Sequence, residues 1–256
     1  MFKAILFDLD GTLLPLDMNL FLPKYMQALA DKVQLEVKSF SRELLAATTK
    51  MIDNDGSLTN REVFSQDFFP RFERRQEELE PLIDEFYRED FPHLRAGIKP
   101  DPRARDAVEA AFALTGRVVI ATNPVFPQSA IYERMRWAGI EDFPYSLVTS
   151  YEEMHWAKPN PNYYREIAKR IGVEPEDALM IGNDVEEDLV AAEIGMKTFL
   201  VDEMLIQRGD GPIRCHRRGN LAACASLLWE YVQRKEQSDE GFGSIENQAQ
   251  CAKVSG

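Results

Sequence analysis

Two aspartates near the start of the chain have the spacing of a catalytic carboxylate pair. Asp8 and Asp10 follow a short apolar run, Ala4 to Phe7. In an extended chain, residues i and i+2 point to the same side, so both carboxylates would face one crevice. Two adjacent carboxylates repel each other, and a divalent cation or the protonation of one of them relieves that cost. The pair therefore indicates metal binding, acid–base chemistry or both.

The residues after the pair make the pattern more specific. Gly11 would allow the chain to turn sharply, and the Thr12 hydroxyl could bond backbone groups in that turn. An Asp-Gly turn after a strand is common by itself. The four fixed positions of Asp-x-Asp-Gly-Thr, by contrast, occur by chance in on the order of one chain in several hundred. The whole pattern favours a functional site.

Further polar residues follow later apolar runs in the sequence. Each has an ordinary explanation when taken alone, since Thr and Asp cap helices and lysines are usually solvated. They lie at the ends of successive runs or shortly after them: Thr122 and Asn123 after 118–121, Lys158 after 146–149, and Asp184 after 178–181, with Asp188 four residues on.

The apolar runs and the segments between them predict the fold class. Strands are expected at 2–9, 118–121, 146–149, 178–181 and 198–201, and helices at 103–114, 128–138, 161–171 and 185–194. Strands that alternate with helices indicate an α/β fold with a doubly wound, Rossmann-like parallel sheet. Ligands of such sheets bind at the carboxyl ends of the strands, which is where the polar residues fall.

A helical block interrupts this alternation. Apolar residues at three- and four-residue spacing predict helices near 18–34, 37–53, 59–72 and 75–90. We therefore predict an α/β core made of 1–16 and 97–232, with an inserted all-helical cap at 17–96. The connections are expected at 14–17 and 97–102. The polar, aperiodic residues 233–256 are interpreted as a mobile tail, and the basic cluster 214–218 as a solvated loop past the last strand.

Composition restricts the partners. The 256 residues include 43 acids and 30 bases, for a net charge of −13, which repels nucleic acid and anionic lipid. No run approaches the roughly 18 apolar residues of a membrane span, and Asp8 and Asp10 interrupt the only early apolar run, so no signal peptide is expected. Three cysteines without metal-ligand spacing indicate no disulfide framework. A cytoplasmic monomer or homodimer, with no nucleic-acid or membrane partner, is predicted.

In combination, the four motifs resemble those of the haloacid dehalogenase (HAD) superfamily. The matching segments start at the first strand and follow successive strands of the predicted sheet: 8–12, 122–123, 158–159, and 182–184 with Asp188. The likeness extends from the start of the chain to about residue 201. The helical insertion resembles the cap of subfamily I, which includes phosphoglycolate-phosphatase-like enzymes. The resemblance implies an Mg²⁺-dependent phosphatase acting on a small phosphorylated metabolite.

The resemblance also implies roles for the acidic residues. Asp8 would be the nucleophile and form an aspartyl-phosphate, and Asp10 would act as general acid and then as general base. Mg²⁺ would be held by Asp8, the backbone carbonyl of Asp10 and Asp184, with Asp188 supporting its water shell.

The remaining motifs would bind the phosphoryl group. Thr122 and the Asn123 amide would hold its oxygens, and Lys158 would neutralise charge on the nucleophile and on the phosphoryl group. Thr12 would support the first turn.

Three other functions use the same fold. A phosphomutase needs the same core. A 2-haloacid dehalogenase uses the same nucleophile but lacks the second acidic residue and the metal, so Asp10 and the Asp184/Asp188 pair count against it. A non-catalytic binding or regulatory module would not need every carboxylate of these motifs, so the intact motifs count against it.

Overall fold

The α/β core is built on a six-stranded sheet in which every neighbouring pair of strands is parallel. In a computed structural model, which describes the backbone of residues 1–252 and the side chains of 1–238, the spatial order is β3-β2-β1-β4-β5-β6. The strands are β1 (Ala4–Phe7), β2 (Val118–Ile120), β3 (Leu147–Val148), β4 (Ala178–Gly182), β5 (Lys197–Val201) and β6 (Arg217–Gly219). The doubly wound parallel sheet is confirmed, and β1 lies in its middle.

Both faces of the sheet are buried, which explains why its strands read as continuous apolar runs. Ile5 and Phe7 point into a core cluster that includes residues of three core helices and of the helical insertion. Ala4 and Leu6 point to the other face, where Tyr163 and neighbouring residues cover them. The period-two alternation of side chains along β1 therefore serves two hydrophobic layers.

The core helices are α5 (Pro102–Leu114), α6 (Gln128–Ala138), α7 (Pro161–Ile171) and α8 (Leu221–Ala252). Local sequence sets their ends. The Asn160 side chain accepts a hydrogen bond from the backbone of Asn162 at the start of α7. Gly139 and Gly172 end α6 and α7 in the left-handed conformation that glycine adopts without strain.

The insertion between β1 and α5 is helical, as predicted. It contains α1 (Met18–Val33), α2 (Val37–Ile52), α3 (Asn60–Phe68) and α4 (Gln76–Glu85). Short 3₁₀ turns at Phe69–Arg71 and Phe91–Arg95 and a π turn at Phe86–Asp90 complete it. The predicted last helix, 75–90, is therefore shorter than expected. The predicted connections, 14–17 and 97–102, lie between β1 and α1 and at the start of α5, while the division into cap and core and their independent motion stay predictions.

Two segments that follow β4 differ from the predicted structure. The predicted helix at 185–194 is a turn followed by a 3₁₀ segment, Leu189–Ile194. The basic cluster is partly strand β6, whose backbone pairs with β5 while the Arg217 and Arg218 side chains stay exposed. A polar edge strand lacks the apolar alternation by which strands are recognised.

The predicted tail mostly continues a helix. Residues 233–252 belong to α8, whose first turns pack on α5 and the sheet, and 253–256 lie outside the described residues. Mobility of this segment stays a prediction. No helix in the described part of the chain has both the length and the hydropathy needed to cross a bilayer.

Candidate active site

The first strand delivers both aspartates to the carboxyl end of the sheet. The Asp8 backbone N–H donates to the Ile181 carbonyl at 2.8 Å, which ties the end of β1 to β4. Gly11 then turns with φ +83, and a Cβ atom there would lie 2.3 Å from the Asn183 side-chain nitrogen. Glycine is required at this position both for the backbone conformation and for the close approach of the β4 loop.

A cavity of about 200 Å³ opens at this end of the sheet. Most of the residues that the sequence singles out line it: Asp8, Asp10, Thr122, Asn123, Asp184 and Asp188. Lys158 and Thr12 lie behind its wall and bond to residues that line it. The fold thus brings all eight predicted residues together, although they span 181 positions of the chain from Asp8 to Asp188.

Lys158 forms the centre of a buried ion-pair network. Its ammonium group donates to Asp8 Oδ1 at 2.8 Å and to Asp188 Oδ1 at 2.6 Å, and the side chain is 1% exposed. Burial alone would lower the pKa of this lysine, but the carboxylates of Asp188 and Asp8 outweigh burial and hold it well above its usual value. Lys158 is therefore a fixed positive charge against the first aspartate.

Asp188 has more than the expected role. One oxygen accepts from Lys158, and the other accepts from the Asp184 backbone N–H at 2.9 Å. Burial raises the pKa of the Asp188 carboxyl, while the adjacent ammonium lowers it. Asp188 lines the cavity and also orients Lys158 and the backbone of Asp184, while its support of metal-bound water stays a prediction.

Thr12 bonds side chains rather than the backbone groups that the sequence suggested. Its hydroxyl lies 3.0 Å from Asn183 Oδ1 and 3.3 Å from Asp8 Oδ2. Asn183 in turn donates to the Met204 carbonyl at 2.7 Å. Asn183 therefore joins the first motif to the loop after β5, a positioning function that the sequence analysis did not assign to it.

Asp184 caps the turn after β4. Its Oδ1 accepts from the backbone N–H groups of Glu186 and Glu187 at 3.0 and 2.9 Å, and from Arg208 at 2.8 Å. Arg208 is half-exposed at the cavity rim and was missed by the sequence analysis, because it lies in a loop without a recognisable motif.

The loop after β2 is held through its backbone. The Thr122 carbonyl accepts from the hydroxyls of Thr149 and Tyr163, both at 2.8 Å. The Asn123 amide group donates to Glu187 at 3.1 Å, and burial raises the pKa of that glutamate. These contacts fix the loop while the Thr122 side chain lines the cavity.

Arg134 is the second residue that sequence reasoning missed. It forms an ion pair with Asp10, is 1% exposed, and its guanidinium carbon lies 4.5 Å from the centre of the Phe126 ring. Burial raises the pKa of the Asp10 carboxyl, Arg134 opposes that shift, and Asp8 adds to it. An arginine within an amphipathic helix is usually solvated, so no sequence signal distinguishes Arg134.

The predicted magnesium ligands are chemically suitable. They are the carboxylates of Asp8 and Asp184 and the backbone carbonyl of Asp10. Because only two of these ligands are side chains, the site is not a cluster of three or more acidic, histidine or cysteine side chains, and no such cluster occurs within the described residues. Within the described residues, Asp8 Oδ2 accepts a hydrogen bond only from the Thr12 hydroxyl, at 3.3 Å. In that part of the chain, the hydrogen bonds to the Asp184 carboxylate all go to its Oδ1 atom. Both carboxylates thus keep an oxygen for a hard cation at the cavity, and the donor set fits Mg²⁺.

Gly182, the last residue of β4, is expected to be required for stability. A Cβ atom on Gly182 would lie 2.0 Å from Asp188 Oδ2, so Gly182→Ala must displace the carboxylate that holds Lys158. We expect a loss of about 1–3 kcal/mol in the free energy of unfolding, measured by urea titration. The matched control is Gly116→Ala, where a Cβ would meet no atom within 4 Å. Equal stability of the two variants would contradict the steric argument.

The sequence of this chain also matches a known protein family. The model of the haloacid dehalogenase-like hydrolases matches residues 2–194, which is most of the chain. A glyceraldehyde 3-phosphate phosphatase from Methanothermobacter thermautotrophicus (strain Delta H) is 24% identical over 215 residues. The match covers 81% of this chain and 88% of that protein.

Solved structures show the same fold at low sequence identity. The 2-haloacid dehalogenase from Pseudomonas syringae pv. Tomato DC3000 superposes with a TM-score of 0.60 at 20% identity, covering 90% of this chain and all of that one. A HAD phosphatase from Thermococcus onnurineus gives 0.55 at 21% identity, covering 88% and 97% of the two chains. Because the same fold serves a dehalogenase and a phosphatase, the chemistry must be argued from the site.

Proposed function

This chain belongs to the haloacid dehalogenase-like hydrolases, and we propose that it is an Mg²⁺-dependent phosphatase that hydrolyses a small phosphate monoester through an aspartyl-phosphate on Asp8. The observation that carries the proposal is the second carboxylate, Asp10, which is largely buried beside the first and is paired with Arg134. A halide leaves without being protonated, so a dehalogenase needs no proton donor at this position. An alkoxide leaves only when it is protonated, so a phosphatase does need one.

The first half of the reaction uses the Asp8 carboxylate as nucleophile. One of its oxygens is held by Lys158, and the other faces the cavity with only the distant Thr12 hydroxyl as partner. An Asp8 carboxylate oxygen that is not bound to the metal attacks phosphorus, the bond from phosphorus to the ester oxygen breaks, and Asp10 gives its proton to the departing oxygen. The pKa of Asp10 is raised by burial, which favours the protonated form that this step needs.

The second half returns the enzyme to its starting state. A water molecule gives a proton to the Asp10 carboxylate and attacks phosphorus, the bond to Asp8 breaks, and inorganic phosphate leaves. Asp8 is regenerated as a carboxylate and Asp10 as an acid, so protons balance over the cycle. Arg134, itself stacked on Phe126, holds Asp10 in place through a hydrogen bond to the protonated carboxyl group and through an ion pair once the proton has left.

Charge compensation makes an anionic substrate acceptable to an acidic protein. Lys158 supplies one fixed positive charge at Asp8, and we expect the Thr122 hydroxyl and the Asn123 backbone amide to bind phosphoryl oxygens at the cavity wall. Mg²⁺ bound by Asp8, the Asp10 carbonyl and Asp184 would supply the remaining positive charge. Most of the rate enhancement in such transfers comes from positioning and electrostatics.

Removal of the metal tests this assignment. We expect the purified protein to hydrolyse p-nitrophenyl phosphate with added Mg²⁺, to fall to background in EDTA, and to recover when Mg²⁺ is restored in excess. Hydrolysis is followed by the release of p-nitrophenolate. Full activity after exhaustive chelation would exclude the metal from the reaction and leave Lys158 as the main positive charge at the nucleophile.

The dehalogenase alternative is tested in parallel with 2-chloropropionate. We expect no chloride release above background, because Asp10 and its arginine occupy the position beside the nucleophile. Chloride release without phosphatase activity would reverse the assignment. The proposed substrate is a small phosphorylated metabolite, and the cytoplasmic location and the oligomeric state stay predictions.

A further inference from the structure

A second cavity lies next to the catalytic one and has the opposite character. It measures about 160 Å³ and is lined by the four cap helices on one side and by the loops after β2 and β3 on the other. Its wall contains no charged residue. The side chains are mainly Leu, Met and Phe, and the polar groups are one threonine and three tyrosine hydroxyls. We call this space the apolar chamber.

Most of the polar groups in the chamber wall are already bonded. The Thr48 hydroxyl donates to the Leu44 carbonyl of its own helix at 2.9 Å. The hydroxyls of Tyr25 and Tyr87 bond each other at 2.6 Å. Their hydrogen-bonding capacity is largely used within the protein, so the chamber offers a ligand mainly hydrocarbon surface.

The chamber and the catalytic cavity share part of their walls. Met18, Val125 and Phe126 line both spaces. The loop after β2 therefore presents Thr122 and Asn123 to the phosphoryl group and, two to three residues later, Val125 and Phe126 to the chamber. A molecule with its phosphate at Asp8 would have its other end directed at this shared wall.

The chamber is partly open to solvent, since Leu45 in its wall is 49% exposed, so its hydrocarbon surface is available to the apolar part of a ligand. A cavity of roughly 150 Å³ lined by aliphatic and aromatic side chains is large enough to hold benzene. Hydroxylated or charged groups would lose their hydration in the chamber without gaining equivalent partners. The chamber thus selects by size and by polarity.

We infer that the alcohol part of the substrate carries an apolar group about the size of a benzene ring or a short alkyl chain, and that this group occupies the apolar chamber during hydrolysis. The inference rests on the proposed phosphatase function and adds the substrate class: alkyl or arylalkyl phosphates rather than polyhydroxylated ones. The cap contributes to specificity through hydrocarbon contact, with Leu22 on α1 and Leu45 on α2 as accessible wall positions.

A series of n-alkyl phosphates tests the inference. From ethyl to hexyl the leaving alcohols have nearly the same acidity, so the chemical step is matched and only the apolar length varies. We expect kcat/KM to rise about twofold to fourfold for each added methylene until the chamber is full, as for burial of hydrocarbon. Benzyl phosphate should rank with hexyl phosphate and well above glyceraldehyde 3-phosphate.

Substitutions in the chamber wall test whether the chamber causes this dependence of kcat/KM on chain length. Leu22→Trp and Leu45→Trp should fill the chamber and lower kcat/KM for hexyl phosphate at least about tenfold, with little change for ethyl phosphate. Leu20→Trp is the matched control, because Leu20 lies on the same helix as Leu22 but is 68% exposed and outside the chamber wall. Thermal unfolding verifies that each variant is folded, and the two chamber variants are independent of each other.

A binding measurement separates the inference from the phosphatase proposal. Hexylphosphonate should bind the Mg²⁺-supplemented protein more tightly than ethylphosphonate, by calorimetry, and Leu22→Trp should abolish the difference. If no ester is hydrolysed but the phosphonates differ in this way, the chamber is supported and the proposed function fails. If ethyl phosphate or glyceraldehyde 3-phosphate is hydrolysed as efficiently as hexyl phosphate, the apolar substrate class is wrong and the phosphatase stands.

Discussion

Replacement of Asp8 by asparagine is expected to reduce hydrolysis of phosphate monoesters by at least about 10⁴-fold, to background. An amide oxygen is a poor nucleophile and cannot form the acyl phosphate. The carboxylate is also one of two carboxylate partners of the buried Lys158 ammonium, which the variant leaves with Asp188 alone. The measurement is p-nitrophenolate release under saturating Mg²⁺, together with a search for phosphate on the peptide that contains residue 8.

The control for the Asp8→Asn variant is Asp177→Asn, the same chemical change at a surface ion pair with Lys3. That variant should keep full activity, since surface pairs contribute little. Asp8→Asn should remain folded, because Lys158 keeps Asp188 at 2.6 Å. A folded Asp8→Asn protein with more than about a tenth of the parental activity would rule out Asp8 as the nucleophile.

Asp10→Asn is expected to slow the second half of the reaction rather than the first. p-Nitrophenolate is a good leaving group and needs little protonation, so the aspartyl-phosphate should still form on Asp8. Its hydrolysis needs an activated water and should slow by about 10²–10⁴-fold. The result should be a burst of p-nitrophenolate with an amplitude close to one per active site, followed by slow turnover, and a phosphorylated peptide at Asp8.

The free energy of unfolding of Asp10→Asn must be measured together with its activity. The change leaves the buried Arg134 guanidinium without its carboxylate, and breaking one side of a buried ion pair costs roughly 3–5 kcal/mol. The burst is therefore normalised to the folded fraction. The double variant Asp8→Asn/Asp10→Asn should show no burst. Unchanged steady-state turnover of Asp10→Asn, with no trapped intermediate, would mean that Asp10 only shapes the turn.

The sheet and the positions of its functional loops follow from local sequence. Runs such as 118–121 and 178–181 are buried on both faces, and their apolar character is visible without any tertiary information. Because parallel strands end at one edge, the polar residues after each run must converge, and they do at the cavity that contains Asp8 and Asp184. Periodicity and topology were sufficient for this part of the prediction.

The partners of the functional residues could not be predicted in the same way. Arg134 lies in α6 beside two other charged residues, Glu133 and Arg136, and its burial against Asp10 depends on how α6 packs on the core and the cap. The resemblance assigned Asp188 to the metal's water shell and gave Asn183 no role of its own, but the two residues bond Lys158 and Thr12, which are distant in sequence. Side-chain contacts between distant segments depend on tertiary packing, which a local pattern does not encode.

The central position of β1 has a consequence for how the protein is made. This strand is the first to leave the ribosome, yet its neighbours are β2 and β4, whose registers pair Ile5 with Val118 and with Leu179. The four apolar residues of β1 must therefore wait for about 110 further residues before β2 is made, and their second edge stays open until β4 is made about 60 residues later. Such long-range pairing folds slowly and leaves a strand edge open to aggregation. The inserted helices, whose contacts are more local, emerge completely in that interval and can fold first, which shortens the distance that β1 must search to find its neighbours.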